Sequence, residues 1–369
     1  MRRRLTAALA ALSLLALAGC ATGVTAPSTS LPAAETLPAL SELIPLDDPR
    51  SWEGPSTAIL DDLRIEPIAD APRASLPTTV TSYDMAGEAE VTIEDTSRVI
   101  AIDRAGSLAA TVWALGLGDQ LVGRDAATTF PGPHELPVVT GPGHTINSEA
   151  IIALAPTLVL TDGSIGPRDV VEQLRDVGIT VVAVQNEPSV EGAAVLARDV
   201  AAVLGVPQVG DELASRIAAD IQSAVAEIAE IAPTEPGDRV RMLFLYVRGS
   251  AGVYYLFGEE SGADALIEAV GGVDVAGELG WAGMRPMTDE AMAAADPDLI
   301  LVMTHGLESA GGAQGLIEEK PAIAVTAAGQ KQRFVDMDDA QILSFGPRSA
   351  DVLRALARAI YAPDLRERS

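Results

Sequence analysis

The chain of 369 residues has a single cysteine, three histidines and few aromatic residues. With Cys20 as its one cysteine, no disulfide can form within the chain. His134, His144 and His305 are too few to supply the converging ligands that usually hold a bare transition-metal ion. Positive charge is scarce as well: 25 Lys and Arg stand against 52 Asp and Glu, for a formal charge of −27. Such a surface repels nucleic acid and anionic lipid, so neither is expected as a partner. After the first twenty residues, no apolar run reaches the ~20 residues that a membrane-spanning helix needs. No P-loop or dinucleotide fingerprint occurs. Gly249-Ser250-Ala251-Gly252 and Gly163-Ser164-Ile165-Gly166 lack the glycine two residues before the serine that a nucleophile elbow requires. The sequence therefore carries no recognisable catalytic motif.

What is present begins with the leader. Arg2, Arg3 and Arg4 precede an almost unbroken apolar run from Leu5 to Ala18, the length of a signal-peptide core. It ends in Leu17-Ala18-Gly19-Cys20, which resembles the lipobox of bacterial lipoproteins. The resemblance implies cleavage after residue 19, acylation of Cys20 and a lipid-anchored protein on the extracytoplasmic face of the membrane. An exposed lone thiol would be a liability there, and acylation removes it. Residues 20–75 are rich in Pro, Ser, Thr and acidic residues and read as a tether, within which Ser56 to Leu60 has the makings of local packing.

From Leu76 onward, short strand-like runs alternate with helical spacing. Arg98 to Ile102, Leu158 to Thr161 and Thr180 to Val184 are continuous apolar strands, which implies parallel pairing with helices on both faces. Asp211 to Ile231 breaks the rhythm. Leu213, Ile217, Ile221, Val225, Ile228 and Ile231 recur at spacings of three and four, predicting one long helix that Pro233 and Pro236 stop. A second alternating set follows, and one segment of it repeats the first. Asn147-Ser-Glu-Ala leads through a short helix and Pro156 into Leu158 to Thr161, and Thr288-Asp-Glu-Ala leads through another and Pro297 into Leu299 to Val302. The expected fold is α/β: an N-terminal lobe (76–205), a linking helix (206–235) and a C-terminal lobe (236–369).

This pattern resembles the helical-backbone class of periplasmic binding proteins, which serve ABC importers of haem, cobalamin and ferric siderophores. The resemblance covers about Val99 to Ala362, and it implies a ligand cleft between the lobes and partnership with a permease and its ATPase. Ligands of open α/β sheets lie at the C-terminal ends of the strands. His144 follows Gly141-Pro142-Gly143 in a loop expected there. Tyr246 lies at the end of the first C-lobe strand, and Arg248, two residues on, points to the same sheet face. An arginine beside a phenol suits a phenolate, a hard anionic ligand for ferric iron. Both segments resemble the receptors of Gram-positive haem importers. In that family a histidine from one lobe and an arginine-backed tyrosine from the other hold the iron, with a methionine near the haem at a position like Met303. Haem is thus the expected cargo, with haem proteins as upstream donors. Trp281, Met284 and Met303 are expected to wall the macrocycle. The resemblance also implies that Glu149 and Glu290, matched in the two repeated segments, dock onto permease arginines. Cobalamin or a ferric siderophore is the alternative cargo, and Arg124, Arg285 and Arg348 would serve the latter.

Overall fold

The computed structural model describes residues 37–84 and 87–367. The leader and Cys20 lie outside the described residues. The first strand, β1 (Ser56–Ala58), belongs to the second lobe. The N-terminal lobe carries the hairpin β2 (Thr78–Asp84) and β3 (Gly87–Ile93), then β4 (Val99–Ile102), β5 (Leu121–Arg124), β6 (Leu158–Thr161) and β7 (Thr180–Ala183). The last four form a parallel sheet in the order β5-β4-β6-β7. Every residue of β4 and β6 is buried, which is why both read as unbroken apolar runs.

The C-terminal lobe holds β8 (Arg241–Arg248), β9 (Val253–Phe257), β10 (Val273–Asp274), β11 (Met284–Pro286), β12 (Leu299–Met303) and β13 (Phe334–Met337). Its sheet runs β1-β13-β12-β8-β9-β11, with β10 added beside the start of β8. β9 and β11 are antiparallel, so this edge differs from its N-lobe counterpart. Gly249-Ser250-Ala251-Gly252 is simply the turn of the β8–β9 hairpin, where Gly252 takes a left-handed conformation at φ 65°.

The repeated segments fold alike in detail. Helices Ser148–Ala153 and Asp289–Ala295 are capped by Asn147 and Thr288, whose side chains each accept the third helical N–H, that of Ala150 or Ala291, at 3.1 Å. Each unit then passes through a left-handed residue directly before its proline, Ala155 at φ 44° and Asp296 at φ 36°. Arg98 and Arg241, flanking equivalent strands, donate to the carbonyls of those residues at 3.0 and 2.8 Å.

The lobes are joined by helix Pro207–Ala229, which starts with proline at its first position and buries Leu213, Ile217, Ile221 and Ile228. At Gly210 the helix Gly192–Val203 comes so close that an added Cβ would lie 2.3 Å from that of Ala201. On the other side the closing helix Ser349–Tyr361 is tied to it by Arg354, which donates twice to Glu227 at 2.7 and 2.9 Å.

Residues 37–75 differ from the expected tether. They form a strap that runs from the C-terminal lobe to the N-terminal one. Ile44 and Leu46 donate backbone N–H groups to Arg366 and Tyr361, and β1 pairs in parallel with β13. Arg358, its side chain 6% exposed, pairs with Asp61 at 2.9 Å. Arg216 of the linking helix then reaches the Glu66 carbonyl, Trp113 donates to that of Ile65, and Ile68 bonds Ala114. Isolated apolar residues, Leu40, Leu43, Leu60 and Ile65, are buried along the way. They carry no period because the strap borrows its hydrogen bonds from elements already built. Leu43→Ala therefore should lower stability by about 2–5 kcal/mol, as for other buried leucines. A urea midpoint equal to that of the wild type would mean that the strap is not docked.

Candidate functional site

At the C-terminal strand ends the two lobes come within electrostatic reach of each other, Arg248 and Asp339 of one acting on His144 of the other. On the N-lobe side, the chain leaving β5 forms an antiparallel bridge between Thr140 and Ile146, closed by Gly141 N–H donating to Thr145 at 2.7 Å. His144 sits in this pinched loop. Gly143 and His144 are both left-handed, at φ 70° and 59°, and no atom lies near an added Cβ on Gly143, so the glycine serves backbone conformation alone. The imidazole is half-buried, and its Nδ1 is buried with no hydrogen-bond partner. Partial burial pushes its pKa below the ordinary value of 6.5. Arg104 and Arg248 push the same way, and Asp339 opposes them. Arg248 and Asp339 belong to the other lobe, so the loop reaches the field of the facing wall.

The C-lobe wall is built on β8, β9 and β12. Tyr246 is half-buried and stacks on Phe257 with ring centroids 6.0 Å apart. The Arg248 guanidinium lies 5.8 Å from the Tyr246 ring centroid, as expected for residues two apart on one strand. The register pairing Val302 with Leu245 sets Met303 beside Tyr246, and both pack against the same core cluster. Met284, on β11 opposite Phe257, shares this face and is 62% exposed. Tyr246, Arg248, Met303 and Met284 thus share one face of the C-lobe sheet, and Arg248 lies within electrostatic reach of His144.

Trp281 does not join them. It packs against the cluster of Leu243, Leu245, Val247 and Leu256, which occupies the opposite face of the sheet, with Arg285 4.7 Å above its ring. The arginines of the alternative reading do not converge either. Arg124 is engaged by the carbonyls of His134, Asp125 and Thr128. Arg348 is buried in the seam between lobes beside Phe130, its pKa pushed down to about 10 by burial. Ser164 accepts the Arg104 N–H and braces that loop.

Three cleft residues escaped the sequence reading. Tyr255, 36% exposed, lies directly across from Tyr246, and strand alternation within the hairpin would have placed it there. Arg104 follows the buried Asp103, whose carboxylate takes N–H groups from Ala105, Ser107 and Leu108 and so shapes the turn that presents Arg104. Asp339 follows β13, a strand whose own position gave no hint of the facing histidine.

Glu149 and Glu290 occupy equivalent second positions in their short helices. Both are exposed, and among the described residues neither makes a hydrogen bond or ion pair. No helix among the described residues is long and apolar enough to cross a membrane.

Comparisons with known proteins agree with this architecture. The crystal structure of the heme binding protein HmuT is 38% identical, with a TM-score of 0.79 over 85% of this chain and 99% of that one. Structures of the same protein with a histidine, a tyrosine or an arginine replaced by alanine match equally well, and that tyrosine and arginine stand two positions apart. The periplasmic heme-binding protein RhuT from Roseiflexus sp. RS-1, in apo form, is 32% identical with a TM-score of 0.65, covering 73% of this chain and 99% of that one. The ABC transporter substrate-binding lipoprotein YvrC of Bacillus subtilis (strain 168) is 28% identical over 295 residues, 79% of this chain and 88% of the relative. Residues 105–340 match the model of the periplasmic binding protein family, and the chain belongs to that family, whose members bind ligands and are not enzymes.

Proposed function

We propose that this protein is an extracytoplasmic haem receptor that captures haem between its lobes and delivers it to an ABC permease for uptake. The observation that carries the reading is an unpartnered half-buried imidazole, His144, on one lobe in the field of Arg248 on the other, which lies beside the half-buried Tyr246 ring. Haem iron takes one or two axial donors, and a two-lobed binding protein can supply one from each lobe. A phenolate from Tyr246 suits ferric iron, and the Arg248 charge beside it balances the anion. Met303 and Tyr255 offer polarizable and aromatic surface to the macrocycle. The reading is supported by relatives named as haem-binding, and by the matching histidine and tyrosine-x-arginine set substituted in one of them. Cys20 would carry the lipid that holds the receptor at the membrane, as in the lipoprotein relative.

Three outcomes are expected. Tyr246→Ala should weaken ferric-haem binding by about a hundredfold and His144→Ala by about tenfold, each with a changed absorbance spectrum. Arg248→Ala should act more mildly. Wild-type spectra and affinities in both ligand variants would overturn the assignment. Protonation competes with iron for the imidazole, and the His144 pKa is depressed, so its ligation should persist as pH falls through 6.5 and fail only at lower values. A spectroscopic pH titration that lost the histidine signature above pH 6.5 would contradict this. For docking, Glu149→Ala and Glu290→Ala should leave haem affinity unchanged and slow transporter ATP hydrolysis in reconstituted membranes, the double variant most. A first-turn glutamate is favoured by the helix dipole in any case. Matched charges on both lobes would in addition orient the receptor on the two permease halves. Full transport by the double variant would leave only the helix-dipole role.

A further inference from the structure

His305, at the C-lobe strand ends, has an arrangement that the axial pair does not use. His305 follows Met303 and Thr304, in the first turn of the helix Thr304–Ser309 that leaves β12. Thr304 donates its hydroxyl to Asp336 at 2.7 Å and holds that turn against β13. The His305 backbone N–H donates to Asp339 Oδ1 at 3.0 Å, and the ring Nδ1 lies 3.2 Å from the same oxygen. A carboxylate in this position selects the tautomer protonated on Nδ1 and leaves the Nε2 lone pair pointing outward, the arrangement that orients ligating histidines. The side chain is 72% exposed. Asp339 is also one of the charges acting on His144. One carboxylate thus touches His305 and acts electrostatically on His144 of the other lobe. Among the described residues no group of three or more His, Cys, Asp or Glu side chains is placed to hold a bare ion. His305 lies two residues beyond Met303, which the β12–β8 register sets beside Tyr246, so its imidazole is a donor near the same strand ends.

We propose that His305 Nε2 is a further iron ligand on the C-lobe, taking the coordination position opposite His144 when Tyr246 does not hold it. The proposal rests on the haem reading of the cleft. Tyr246 is half-buried and stacked on Phe257, whereas His305 is the more exposed donor, so an incoming haem meets His305 at the rim and Tyr246 deeper in. The two donors differ in kind. Two neutral imidazoles give low-spin ferric haem, while a phenolate is a weaker-field anion.

The experiment uses the full chain loaded with ferric haem, comparing the wild type, Tyr246→Phe, Tyr246→Phe/His305→Ala and Tyr246→Phe/Asp339→Asn. Absorbance and electron paramagnetic resonance report spin state, and transfer to a haem scavenger reports the off-rate. Tyr246→Phe should keep haem with a low-spin, two-imidazole signature. Adding His305→Ala should abolish that signature and raise the off-rate about tenfold, within the range for loss of a metal-orienting contact. Asp339→Asn should give an intermediate off-rate, since it leaves an oxygen for the backbone N–H and removes the charge that orients the ring. Identical spectra and off-rates with and without His305 would overturn the proposal while leaving the haem reading intact. Failure of the wild type to bind haem would overturn both.

Discussion

The packing of helix Pro207–Ala229 between the lobes is the constraint on which the cleft depends. Its apolar stripe, Leu213, Ile217, Ile221 and Ile228, is buried in the cluster that also contains the inner face of β8 and the closing helix. At 23 residues it spans about 35 Å and resists bending more than a loop would. Arg354 and Glu227 fasten it to the closing helix, and Arg216 fastens it to the strap. The strap makes a second connection between the lobes through β1, Asp61 and Ile68. Two connections leave little freedom for one lobe to swing against the other.

The charge of the cleft departs from that of the molecule. A chain of formal charge −27 places two arginines, Arg104 and Arg248, in the field of His144, with Asp339 the opposing charge. For an anionic macrocycle, local cations matter more than net charge, because a Debye length of about 8 Å at physiological salt screens the distant carboxylates. Partial burial, together with the same cations, disfavours protonation of the His144 ring. Each helps the site only because the loop from Thr140 to Ile146 pushes the imidazole toward the other lobe.

Much of this was legible in the chain itself. The β4 and β6 runs announced buried parallel strands, and the spacing from Leu213 to Ile231 announced the linking helix. The repeated Asn147 and Thr288 segments announced two related lobes, down to equivalent caps and equivalent left-handed residues before proline. Local signatures could place His144 in a glycine-flanked loop and Tyr246 and Arg248 at a strand end, while their choice as ligands came from the resemblance to haem receptors. The strap could not be read in this way. Leu40, Leu43, Leu60 and Ile65 are single anchors whose burial depends on surfaces made by residues hundreds of positions away.

Local periodicity by itself determined which segments are strands and helices, that there are two lobes, and which side chains share a face of one strand. Only the tertiary structure decided which of the two sheet faces lines the cleft. Period-2 alternation leaves the two faces equivalent until neighbouring strands and helices cover one of them. That choice sets Tyr255 and Met303 beside Tyr246 and sends Trp281 to the other side. The meeting of His144 with Asp339 and Arg248 is likewise tertiary, since it depends on how the linking helix holds one lobe's loop against the other lobe's strand ends.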